Sequence, residues 1–96
     1  MARWVVLVQA GYGDEYTLDE VEHIEDTLER ARARLYEIAC THRPRWRLRQ
    51  QSRQVYRIGD GDAYYATIEG KMSTHRVLYR LAELVWSVDP EPKPWQ

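Results

Sequence analysis

Six arginines, Arg43, Arg45, Arg47, Arg49, Arg53 and Arg57, fall close together in the middle of the chain, with Trp46, Tyr56, Tyr64 and Tyr65 among or just after them. A guanidinium group pairs bidentately with phosphate and an aromatic ring stacks on an unpaired base, so this pattern is the chemistry of a polyanion surface. Arg45, Arg47, Arg49, Arg53 and Arg57 are its candidate binding residues, displayed on a strand face. In a strand, however, Trp46 points away from its arginine neighbours and belongs to a core. Partner-facing or structural arginines account for the same spacing.

Other constellations carry less. The acidic stretch 14–26 has the composition of a phosphate mimic, and equally that of a solvated acidic face. Cys40 and His42 are the only adjacent cysteine and histidine. Two residues apart on a helix they point about 200° away from each other, which separates a nucleophile from its base. Gly59-Asp60-Gly61-Asp62 lacks the spaced oxygen ligands and closing glutamate of a calcium loop and reads as a turn. His23, His42 and His75 show no zinc spacing, and Gly11-Tyr12-Gly13 lacks the further glycine and the lysine of a phosphate loop. The sequence therefore implies no enzyme activity, cofactor or metal.

The net charge of −1 conceals a separation along the chain. Residues 1–29 carry eight acids against Arg3, residues 30–57 carry nine arginines against Glu37, and residues 58–96 carry six acids against four bases. A charge near zero argues against whole-molecule attraction to nucleic acid or anionic membrane, while leaving room for a local basic face. Acidic and basic stretches can also neutralise one another, within one chain or across a dimer.

Several elements must position these groups. Residues 4–10, Trp-Val-Val-Leu-Val-Gln-Ala, are apolar at both alternating positions and predict a strand with little exposed face. Thr17-Leu18-Asp19-Glu20 is a capping box, and Val21, Ile24, Leu28, Ala31, Leu35, Ile38 and His42 keep a heptad spacing. Together these predict one long helix from residue 18. A second start signal at Asp26-Thr27-Leu28-Glu29 predicts instead a helix over 28–42, preceded by an acidic edge strand. Pro44 stops the helix in either case. Residues 45–49 read as a short extended segment, and 55–58 with 63–68 flank Gly59-Asp60-Gly61-Asp62 as a hairpin. Val77, Leu81, Leu84 and Val88 predict a second helix over 74–88, although the alternation of Val77, Tyr79 and Leu81 also suits a strand. Residues 89–96, with three prolines, predict a flexible tail.

The length suits one domain over residues 1–88, burying about two-thirds of its unfolded surface. The expected fold is α+β: an antiparallel sheet of three to five strands packed against one long central helix and a second C-terminal helix. No window approaches a membrane span, the N-terminal run lacks a signal-peptide cleavage site, and the lone Cys40 suits a reducing compartment, so a cytoplasmic location is expected. The expected function is a non-catalytic protein-interaction module that forms a homodimer. In that expectation the acidic stretch of one copy faces the arginine-rich stretch of the other along paired long helices. Glu20, Glu22 and Glu25 supply the charge, and Val21, Ile24 and Leu28 the apolar seam. A small RNA- or DNA-binding domain is the alternative.

Overall fold

The computed structural model describes residues 2–12, 15–43, 50–70 and 74–88. Strand β1 (Ala2–Tyr12) is followed by β2 (Glu15–Asp26), helix α1 (Leu28–Thr41), β3 (Gln50–Ile58), β4 (Ala63–Gly70) and β5 (Thr74–Glu83). The five strands form one antiparallel sheet in the order β2-β1-β5-β4-β3. The chain is thus a small α+β domain, and its single described helix lies against one face of the sheet. No described helix is long and apolar enough to cross a membrane.

The first correction concerns the long central helix: residues 18–26 belong to β2, the acidic edge strand of the alternative reading, and do not extend it. Thr17 of the capping box donates its hydroxyl to the Ala10 carbonyl across the sheet (3.3 Å) and so ties a strand. The second start signal is the one that operates: the Thr27 hydroxyl accepts from the Arg30 N–H (3.3 Å), and the Asp26 carboxylate accepts from the Thr27 N–H (2.7 Å). The Trp4 indole N–H donates to the Asp26 carbonyl (3.1 Å), pinning this junction to β1. Pairing with β1 along most of its length gives the 15–26 segment more than a solvated helix extension would.

The second correction concerns 74–88. Residues Thr74–Glu83 are strand β5, which sits between β1 and β4 at the centre of the sheet, and 84–88 has no regular structure. His75, Val77 and Tyr79 are buried on one face, while Arg76, Leu78 and Arg80 stand on the other. The period of two prevails over the helical period because the sheet needs a strand here to join its two hairpins. The extended segment expected at 45–49 and the tail at 89–96 lie outside the described residues.

The hairpin joining β3 to β4 turns as expected through Gly59-Asp60-Gly61-Asp62. Gly59 and Gly61 take φ of 62° and 107°, the left-handed region that a side chain disfavours. The core lies between sheet and helix. Val6, Val8 and Ala10 of β1, Tyr64, Ala66 and Ile68 of β4, and Val77 and Tyr79 of β5 meet Leu35, Ile38 and Ala39 of α1.

Candidate functional site

On the helix-covered side Arg30, Arg32, Arg34 and Arg53 are tied up within the chain. Arg34 grips the Glu22 carboxylate of β2 through two bonds (2.7 and 2.9 Å) and reaches Glu37 as well (3.0 Å). Arg32 grips Asp62 in the β3–β4 turn (2.9 and 3.2 Å), and Arg30 lies 3.7 Å from Asp26. These hydrogen bonds hold the Glu22 and Asp62 carboxyls below their ordinary range and keep both guanidinium groups firmly charged. Arg53 of β3 donates to the Ala39 carbonyl (2.8 Å), the His42 carbonyl and the Tyr79 hydroxyl (3.4 Å), closing the C-terminal end of α1. His42 completes this cluster through its Nδ1, 3.2 Å from the Tyr79 hydroxyl. Burial, aided by Arg53, pushes the His42 imidazole below its ordinary range, with Asp19 opposing. Burial likewise raises the Tyr79 phenol. Charge separation along the sequence therefore serves, in large part, to fasten one helix to both flanks of a sheet.

This arrangement scatters the residues expected to form a dimer seam. Glu22 is bound to Arg34, and Ile24 packs against the core. Leu28 starts the helix, partly exposed. Val21 is the extra residue of a bulge, since Val6 pairs with Glu22 and Leu7 with Glu20. By strand parity Glu20 and Glu25 stand on the opposite face of the sheet, so the six residues do not share a surface. The candidate polyanion set divides too. Arg53 joins the helix end, Arg57 is exposed on the helix side of β3 beside Tyr64, and Arg45, Arg47 and Arg49 lie outside the described residues.

The face of the sheet turned away from α1 is the surface that residue-type reasoning missed. Val5, Leu7 and Gln9 of β1, Ala63, Tyr65 and Thr67 of β4, and Leu78 and Ala82 of β5 are only half-buried there. Among the described residues no second layer covers them. Arg76 and Arg80 stand exposed between β1 and β4, and Tyr56 of edge strand β3 stacks on Tyr65 at 6.1 Å. Glu20, His23 and Glu25 occupy the β2 side. The signal was present in residues 4–10: a strand apolar on both faces needs cover on both, and α1 supplies only one. Among the described residues no group of three metal-ligating side chains assembles.

Compared with known protein families, curated proteins and solved structures, the chain finds no match.

Proposed function

We propose that this protein is a non-catalytic interaction module of the cytoplasm, and that it self-associates through the open face of its sheet. One observation carries the reading: the half-buried strip of Val5, Leu7, Tyr65, Leu78 and Ala82, set around Arg80, that no described element covers. Five strands about 4.8 Å apart, over the eight residue pairs that β1 and β5 share, give this face roughly 600 Å². Two copies stacked face to face would bury roughly 1,200 Å², the lower bound of a stable standard interface. A second copy is a self-complementary cover for such a face, and sheets stack in this way at about 10 Å.

Light scattering after size exclusion tests it. The wild type should elute as a dimer at low and high salt, because an apolar seam outlasts screening. Leu78→Glu or Leu7→Glu should give a folded monomer. A wild-type monomer at high micromolar concentration would overturn the reading.

One observation favours the nucleic-acid alternative in a new place. The stacked Tyr56 and Tyr65, with Arg76 and Arg80 on the same face, have the make-up of a platform for unpaired bases. A single- and double-stranded oligonucleotide pool added to the same experiment separates the two readings. A monomer that shifts with the pool only at low salt selects nucleic acid.

A further inference from the structure

Residues 84–88 hold four large apolar side chains in five positions: Leu84, Val85, Trp86 and Val88 are 47, 85, 75 and 74% exposed. They are the densest run of exposed apolar side chains among the described residues. The Leu84 N–H still donates to the Arg3 carbonyl (2.8 Å), so the segment leaves β5 beside the start of β1. A groove of about 520 Å³ opens at that corner, lined by Arg3, Val5, His23, Ile24 and Leu84 among others. Trp86 does not fill the groove of its own chain.

If the sheet face pairs with a second copy, as proposed above, symmetry and charge restrict how. A two-fold axis lying between the sheets and across the strands stacks β2 on β2, setting Glu20 and Glu25 against their own copies. An axis along the strands, between β1 and β5, stacks β1 on β5 and β2 on β4. Glu20, Leu7 and Arg80 lie at one level of the sheet. The second axis therefore brings Glu20 of one copy within one strand spacing of Arg80 of the other, laterally. Opposite charges meet at this level, and β2 no longer faces its own copy.

That axis has a consequence at the corner. It lays the Glu83 end of β5 over the Arg3–Val5 end of β1 in the second copy, where the groove lies. We infer that residues 84–88 of each copy form an arm that docks on the other, with Trp86 seated in the groove beside Val5 and His23. The arm adds apolar area to an overlap that, with β3 left outside it, falls short of the standard size, and its tryptophan is among the side chains enriched as interface anchors.

Cysteine pairing in the full chain, on a Cys40→Ser background, tests this. Copies carrying Trp86→Cys are mixed with differently sized copies carrying His23→Cys, or with a set carrying Thr74→Cys at the far end of β5, and oxidised. A mixed-size disulfide should form well above background with His23→Cys and not with Thr74→Cys. Trp86→Ala, at an exposed position, should raise the dimer dissociation constant about tenfold or more with the monomer fold unchanged by circular dichroism. Preferential pairing with Thr74→Cys overturns the arm, because it reports the other axis. An unchanged dissociation constant for Trp86→Ala also overturns it, while a persisting dimer leaves the sheet-face reading standing. A wild-type monomer overturns both.

Discussion

The two faces of the sheet are built from the same strands and solve different problems. Toward α1, Val6, Val8, Ala66, Ile68, Val77 and Tyr79 are almost fully buried, and arginines on the helix and on β3 reach the rim to lock the layers. Away from α1, Val5, Leu7, Tyr65 and Leu78 stop half-buried, with Arg3, Arg76 and Arg80 exposed, and the ion pair described there, His23 with Glu20 at 3.9 Å, ties no second layer to the sheet. A strand cannot choose its residues for one face alone without leaving alternate positions to the other. Here the second set is apolar enough to want a partner and too exposed to be a finished core.

The sharpest way to break the comparison is to damage one face and read both properties. Leu35 is fully buried against the covered face, so Leu35→Ala should cost about 2–5 kcal/mol in urea denaturation. Leu78→Glu should leave the denaturation of the isolated monomer nearly unchanged while abolishing the dimer. If Leu78→Glu costs as much as Leu35→Ala, the open face is part of the core and the contrast collapses.

A smaller effect is expected at the rim. Arg53→Met removes the donor shared by the Ala39 and His42 carbonyls and should lose about 1–3 kcal/mol, because the carbonyls at the helix end lose a charged partner. Helix fraying measured by hydrogen exchange should then be confined to the last turn of α1.

The same cluster makes the covered face sensitive to pH. The folded His42 imidazole titrates below its unfolded value of about 6.5, so folding favours the neutral ring. Its contribution is fully present above that unfolded value, declines as pH falls toward the folded one, and levels off beneath it. Thermal melts between pH 7.5 and 5 should show this decline in the wild type and less of it in His42→Gln, beyond the background from other groups.

The smallest change is expected from Glu22→Gln, at or below about 1 kcal/mol, since the pair with Arg34 is partly exposed. Raising the salt concentration should shrink the difference from wild type. A salt-independent loss would mean that Glu22 acts through packing and not through charge.

Much of the architecture was legible in the chain. Residues 4–10, the helix from Leu28 and the Gly59–Asp62 hairpin follow from local chemistry, and each is where that chemistry puts it. The two elements with competing readings share one cause. Residues 18–26 and 74–88 each satisfy helical and extended periods, and the choice falls to sheet pairing that periodicity does not report: β2 folds back on β1, and β5 pairs with neighbouring β4 and with distant β1. The expected seam through Val21, Ile24 and Leu28 depended on the first of these and disperses with it. The open face was hidden differently: its residues come from β1 at one end of the chain and from β4 and β5 near the other, and form a surface only once β5 is placed between β1 and β4.

The strand order has a consequence for how the molecule comes into being. β1 with β2 and β3 with β4 are neighbours in sequence, so each pair is able to zip up soon after it leaves the ribosome. The strand that welds them, β5, is the last of the five to be synthesised. Until Tyr79 and Val77 arrive, the two hairpins share no strand, and the inner edges of β1 and β4 stand unpaired. Completion therefore waits on the closure of β1 onto β5, which spans most of the chain and so slows the fold and leaves its half-made form sticky.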